Sequence, residues 1–407
     1  MKPLTIAIHA STLTGWGGGI DFLRMLLQAL VVCKNKKEIK IYLMIPYTYA
    51  WDSCWKRFIK HIVDKCFYRS GFDSYWGTVA LDVNDVLREF EKSFFINFYL
   101  PHEYDNILKK IGVDVILPIG PSSSNFLSKI PSIGYIFDFQ HKYYPQFFSV
   151  KEYTARELSF AQLLLSVPAL IVHSLQVKKD IERFYPSLTC CIFDLPFCAI
   201  PLREWFSEKI LSEPFEVLRV RYKLPKKYFV MCNQFWVHKD HITAFDALHR
   251  ISDNNIHIVC TGKTSDYRIP DYFKQLQAHI DNLGLTQRIH FLGYIPKMYQ
   301  IAIMRNSLAL IQPTLFEGSP GGAAVEDAVA LGVPVVLSDI SVNNAVEGDN
   351  IIFFIAHNAD DLALKMQVML EQKIQRPSNV ILLDQAGRRV ERFSSRLFEA
   401  IEYVLNK

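Results

Sequence analysis

Residues 312–339 read Gln312-Pro-Thr-Leu-Phe-Glu-Gly-Ser-Pro-Gly-Gly-Ala-Ala-Val-Glu-Asp-Ala-Val-Ala-Leu-Gly-Val-Pro-Val-Val-Leu-Ser-Asp339. The run 308–312 is short and apolar, as a strand buried on both faces requires. A loop with Glu317, Gly318, Gly321 and Gly322 follows, then a helical pattern over 322–331 and a second apolar strand over 334–337. A strand, a Gly-containing loop and a helix in this order offer free N–H groups and the positive end of a helix dipole. That arrangement suits a diphosphate. Glycine lets a ligand approach the backbone closely. Glu317 can accept from sugar hydroxyls, and Glu326, about a helical turn into the helix, can hold a ribose diol. On this block alone, a Gly-rich turn with two solvated acids fits as well.

The same rhythm extends in both directions. Upstream of the block, strands are expected at 228–232, 256–261 and 288–292, with helices at 241–251 and 271–283. Downstream, a helix is expected at 359–372. Strands are also expected at 4–9, 39–45, 114–119, 132–137 and 169–172, several of them separated by helical patterns. Between the two arrays lies a stretch with Pro196, Pro201, Pro214 and Pro225 and no sustained period, which reads as a linker with some local helix. Two βα arrays define an α/β chain of two Rossmann-like lobes, with ligands at the carboxyl ends of the strands. The expected division is a first lobe over 1–200, a linker over 201–226, a second lobe over 227–385 and a C-terminal helix over 386–407 that packs back toward the first lobe.

Composition narrows the class. At 407 residues two domains are the natural expectation, and 50% hydrophobic with 21% charged residues suits a packed globular protein. A formal charge of +4 is small for this length and argues against an obligate nucleic-acid binder. None of the eight cysteines stands in a C-x-x-C pair or a zinc spacing, so free thiols in a reducing cytosol are expected. The N-terminus reads as a first strand and not a signal peptide, and no transmembrane segment is expected. Over 55–69, Trp55, Phe58, Ile59, Ile62, Val63, Cys66 and Phe67 share one helical face, with Lys56, Arg57, Lys60 and Lys65 elsewhere. That segment reads as a surface helix. The alternative is peripheral contact with anionic lipid at the inner face of the membrane.

The block at 312–339 resembles the donor-site signature of the retaining GT-B glycosyltransferases of family four, glycosyl transferases group 1. Glu317 matches the first acid of that signature and Glu326 the second. Ala328, Ala330, Gly332, Pro334, Ser338 and Asp339 match its tail. The family has seven residues between the two acids and this chain has eight, so the loop Ser319-Pro320-Gly321-Gly322 is one residue longer. A second block, Tyr228-Phe-Val-Met-Cys-Asn-Gln-Phe-Trp-Val-His-Lys-Asp-His241, resembles the segment whose two cations neutralise the leaving diphosphate. Lys239 matches the lysine, and Gln234 stands where the arginine is usual. A third, Arg288-Ile-His-Phe-Leu-Gly-Tyr-Ile-Pro296, resembles the strand and turn that face the nucleotide base. Gly293 permits the turn, and Tyr294 or Ile295 flanks the base.

The likeness is looser over 5–186. Gly17, Gly18 and Gly19 resemble the family's loop after the first strand, which faces the donor phosphate. Asp138 matches an acid of a His-Asp stretch, with Phe137 in the usual His position and His141 nearby. A turn cap explains Asp138 equally well. Ser174 matches a serine that opens a helix and reads as an N-cap. The resemblance implies a GT-B fold, with two Rossmann-like lobes facing each other across a cleft. It also implies transfer from a nucleotide diphosphate sugar to a glycan, lipid-linked or small-molecule acceptor with retention of configuration. No metal and no cofactor beyond the donor co-substrate is implied. A sugar-nucleotide epimerase of the same fold and a non-catalytic nucleotide-sugar-binding partner are the alternatives. The Gln234 and Phe137 departures motivate the latter.

Overall fold

The computed structural model describes residues 2–13, 17–34, 38–46, 93–121, 129–199, 201, 203–207, 209–210, 213–371 and 375–407. The segment 55–69 lies outside the described residues. The chain forms two compact units. One comprises Met1–Phe137, Val150–Pro196 and Arg389–Lys407, and the other comprises Asp138–Ser149 and Phe197–Arg388.

The first unit is built on seven strands: β1 (Leu4–His9), β2 (Ile39–Pro46), β3 (Phe95–Tyr99), β4 (Val115–Ile119), β5 (Ser132–Tyr135), β6 (Ala169–Val172) and β7 (Cys191–Asp194). Every pairing is parallel, in the order β3-β2-β1-β4-β5-β6-β7. The central strands β4 to β6 are buried along their whole length, and β4 and β6 accordingly read as unbroken apolar runs. Strands β3 and β7 lie at the edges and carry exposed or half-buried residues, so they lack that signature. The Gly17–Lys34 helix packs through Phe22, whose ring lies 4.8 Å from Tyr135. Ser394 Oγ donates to the carbonyl of Ala29 at 2.8 Å, and Arg396 pairs with Asp194 at 3.0 Å. These contacts hold the C-terminal part of the helix Asn379–Leu405 in this unit.

After Phe197 the second unit has two short antiparallel strands, β8 (Lys209–Ile210) and β9 (Glu213–Pro214), and a helix at Phe215–Arg221. The stretch 201–226, expected as a linker, supplies Trp205 and Leu224 to the core of this unit. The main sheet has β10 (Lys227–Cys232), β11 (Ile256–Thr261), β12 (Ile289–Phe291), β13 (Leu310–Gln312), β14 (Val335–Ser338) and β15 (Ile351–Phe354). All pairings are parallel, in the order β12-β11-β10-β13-β14-β15. The period of two along each strand divides the core. Phe229, Met231, Ile258 and Ile311 face a cluster with Phe245, Leu276 and Met366, while Tyr228, Val230, Val259 and Leu310 face one with Ile303, Val325 and Ala328. A sheet covered by helices on both faces results. Its strand order reverses between β10 and β13, and at such a switch point the loops diverge and leave a crevice for a ligand. No helix among the described residues is long and apolar enough to cross a membrane.

Candidate active site

Both strands flanking the switch point of the second unit end in loops that carry charge. After β10 the chain turns Phe235 into the core and forms one 3₁₀ turn, Val237–Lys239, closed by the Lys239 amide on the carbonyl of Trp236 at 2.9 Å. After β13, the Leu315 amide donates to the carbonyl of His238 at 2.7 Å and ties the two loops together. Lys239 Nζ then lies 2.5 Å from Glu317 Oε1. Their side chains are only 12% and 11% exposed, so the pair is a largely desolvated one. Leaving either charge alone there would be costly, and each partner holds the other in place.

Gln312, the last residue of β13, organises the pair. Its amide nitrogen donates to Glu317 Oε1 at 3.0 Å and to the carbonyl of Gly321 at 3.0 Å, and its oxygen accepts from Asn233 Nδ2 at 2.6 Å. The Gly321 amide donates to Asn343 Oδ1 at 2.9 Å, and Asn343 Nδ2 donates to the Ser338 carbonyl at 2.9 Å. Ser338 Oγ closes the network on the carbonyl of Thr314 at 2.6 Å. The helix Gly322–Ala330 therefore starts beside the Lys239–Glu317 pair, with its free N–H groups at the same strand ends. Gly322 has φ 72°, and a Cβ there would lie 3.1 Å from Glu317 Oε2. Glycine permits both the backbone turn and the close approach of the carboxylate.

His238 is buried beside Lys239, and among the described residues its Nδ1 has no hydrogen-bond partner. Burial, reinforced by Lys239, Arg268 and His241, holds its pKa well below the ordinary histidine value. The imidazole is therefore neutral, and the positive charge around it resides on Lys239 and Arg268. Arg268, from the loop after β11, forms a fork on Asp266 through Nε at 3.0 Å and Nη2 at 3.2 Å and lies 4.8 Å over the Trp236 ring. Its Nη1 donates to Gln140 Oε1 at 3.1 Å. Tyr144 Oη donates to the carbonyl of Leu315 at 3.3 Å, and the Tyr143 ring lies 5.6 Å from Phe316. The segment Asp138–Ser149 thus packs on the loops that hold Lys239 and Glu317.

The remaining expected residues divide as follows. Gln234 is half-buried, and its carbonyl accepts from the Trp236 amide at 2.8 Å. Glu326 is buried on the helix Gly322–Ala330. Next to it, Asp327 pairs with Lys297 at 2.6 Å. Tyr294 is half-buried, whereas Ile295 is part of the core. Asp138 Oδ1 accepts from the Gln140 amide at 2.9 Å and so caps the turn Gln140–Tyr143. His141 is buried in the same turn. Ser174 caps the helix Leu175–Phe184, accepting from the Val177 amide at 3.1 Å. Gly18 and Gly19 lie in the first turn of the helix Gly17–Lys34 of the first unit. Sequence reasoning passed over Gln312, Asn343 and Arg268. Gln312 had one signal, a polar side chain at the end of an apolar strand directly before the Gly-rich loop.

Two doubly wound parallel sheets, the second with a Lys–Glu pair at its switch point, make the GT-B fold of the glycosyltransferases. Residues 216–381 match the family described as glycosyl transferases group 1. Solved structures of the same fold include sucrose-phosphate synthase from Thermosynechococcus elongatus, at 15% identity and a TM-score of 0.58, covering 100% of this chain and 97% of that one. The Anabaena protein HepE in complex with UDP and glucose has 14% identity and a TM-score of 0.64, covering 98% and 99%. The lipopolysaccharide outer core galactosyltransferase WaaB has 14% identity and a TM-score of 0.56, covering 98% and 99%. No curated protein sequence matches the chain.

Proposed function

We propose that this protein transfers a hexose from a nucleoside diphosphate sugar to a glycan, lipid-linked or small-molecule acceptor with retention of configuration. The observation that carries the proposal is the meeting of Lys239 and Glu317, from two separate βα loops, at 2.5 Å beside the start of a helix. In this reading the donor diphosphate replaces Glu317 as the partner of Lys239. One anion is exchanged for another, so the ammonium group is never left unpaired. Glu317, released from Lys239, accepts hydrogen bonds from the sugar, and Glu326 holds the ribose diol. Tyr294 and the backbone at Gly293 and Ile295 flank the base.

As the bond to the leaving diphosphate breaks, negative charge grows on its oxygens. Lys239, the Gln234 amide and the free N–H groups in the first turn of the helix Gly322–Ala330 stabilise that charge. The leaving phosphate takes the acceptor proton, so no dedicated base is assigned, and Asp138 orients the acceptor. Positive charge comes from Lys239 and backbone amides, and the proposal assigns no metal. Turnover is accordingly expected to survive chelator. HepE was solved with UDP and with UDP-glucose, which makes UDP-sugars the first donors to test.

Thermal unfolding with a panel of UDP-, GDP- and ADP-sugars checks the donor. A ligand at a hundred times its Kd stabilises by about 2.7 kcal/mol, a readable shift. Stabilisation by one nucleotide series, followed by transfer to an added acceptor, supports the proposal. No shift with any series would refute it. Isomerised sugar nucleotide from donor alone would point to an epimerase instead.

A further inference from the structure

Two non-glycine residues of the second unit hold left-handed backbone conformations and touch each other. Asp240 has φ 47° and ψ 48°, and His357 has φ 62°. Positive φ is uncommon outside glycine, although Asp and His adopt it more readily than most residues, and such conformations persist where the surroundings over-determine them. Asp240 lies between the turn Val237–Lys239 and the helix His241–His249, so its backbone sets how the turn that carries Lys239 is oriented on that helix. Its carboxylate is buried and accepts twice at Oδ2, from Thr243 Oγ1 at 2.6 Å and from His357 Nδ1 at 2.9 Å. A carboxylate only accepts, so His357 Nδ1 carries the proton.

His357 comes from a different element. It lies in the loop between β15 and the helix Ala359–Glu371, and its ring is 72% exposed. That loop is itself fastened. Asp339 Oδ1 accepts from the Ala356 amide at 2.8 Å, and Asp361 Oδ2 accepts from the Ile355 amide at 2.7 Å. Asp339 ends the sequence block that contains Glu317. The chain thus runs from the Glu317 block through Asp339 to the His357 loop and back to the residue beside Lys239. Thr243 belongs to the helix His241–His249 that Asp240 begins, so His357 is the member that ties Asp240 to a separate loop.

We propose that His357 is a positioning residue for Lys239: its hydrogen bond to Asp240 holds the left-handed turn that aims the lysine at the donor diphosphate. The proposal rests on the donor-site reading of Lys239. It assigns His357 no contact with substrate.

The test is calorimetric titration of UDP into wild type, His357→Asn, His357→Gly, His357→Ala, Asp240→Gly and the double variant Asp240→Gly/His357→Ala. Asparagine tolerates positive φ and retains a side-chain donor, so His357→Asn is expected to bind UDP as wild type does. Glycine relieves the backbone but removes the donor, so His357→Gly and His357→Ala are expected to bind roughly five- to tenfold more weakly. Asp240→Gly removes the acceptor, and His357→Ala in that background is expected to have no further effect. His357→Gly and His357→Ala leave the buried Asp240 carboxylate with Thr243 alone and should lower the ligand-free midpoint modestly, so binding is compared at a temperature where every variant is folded. UDP binding by His357→Gly equal to wild type, or an undiminished His357→Ala effect in the Asp240→Gly background, would overturn the assignment alone. A wild type that binds no nucleoside diphosphate would overturn the donor-site reading as well.

Discussion

The side-chain amide of Gln312 spans the floor of the candidate site, donating to Glu317 at 3.0 Å while its oxygen accepts from Asn233 at 2.6 Å. One buried side chain at the end of β13 thus joins Asn233, the residue directly after β10, to the acid opposed to Lys239. It also holds the Gly321 carbonyl just before the helix that begins at Gly322.

Gln312→Leu keeps the volume and removes these bonds. Glu317, Asn233 and the Gly321 carbonyl each lose a partner in a buried setting, where an unsatisfied polar group costs about 1–3 kcal/mol. The expected outcome is a lower thermal midpoint together with weaker UDP binding. A midpoint within error of wild type would show that the network contributes nothing to folding.

Two glycines should respond differently to alanine. Gly262 has φ 135°, and a Cβ would fall 2.0 Å from the carbonyl oxygen of Asn233, a backbone atom that cannot swing aside. Gly262→Ala is expected to lose more than about 4 kcal/mol of stability and to accumulate unfolded. Gly322→Ala meets only the end of the Glu317 side chain at 3.1 Å. It should cost roughly 1–2 kcal/mol of backbone strain but displace the carboxylate, so activity falls further than stability does. Equal losses of stability in the two variants, read by urea unfolding, would contradict this.

Buried histidines make stability depend on pH. Burial pushes His9 and His173 down to about 4 and His241, reinforced by Lys239, down to about 3. The unfolded chain takes up these protons near pH 6.5, whereas the folded chain refuses them until much lower pH. Their contribution is therefore complete above pH 6.5 and is lost as pH falls from 6.5 toward 4. At the extreme His9 and His173 each account for about 3 kcal/mol and His241 for about 5 kcal/mol. His241 stacks on Phe235 at 4.3 Å, and among the described residues neither of its ring nitrogens has a partner. His241→Phe is expected to keep the neutral-pH midpoint and flatten the fall between pH 6.5 and 4. A large loss at pH 7 would mean that the nitrogens are engaged in solution.

The parallel sheets were legible because strands covered on both faces are unbroken apolar runs. Val335, Val336 and Leu337 leave no other reading. Strands β3 and β7 were not, since exposed edge positions remove the signal. Lys239 and Glu317 could be picked out because each lies in a loop between an apolar strand and a helical pattern. Gln312, Asn343 and Arg268 could not, because their roles depend on contacts across up to 128 positions of sequence, as between Arg268 and Gln140. Pro196, Pro201, Pro214 and Pro225 suggested a linker, but proline content does not report that Trp205 enters a core. Asp138–Ser149 follows β5 directly in sequence, and nothing in its composition shows that its aromatic rings pack on Phe316 and Arg268.

The most direct measurement is titration calorimetry of UDP and UDP-glucose into wild type and Lys239→Ala, with thermal midpoints recorded for both proteins. The expected result is binding by wild type and a loss of at least about tenfold in Lys239→Ala, equivalent to about 1.4 kcal/mol, with the fold retained. Equal affinity in the two proteins would contradict a diphosphate held by Lys239.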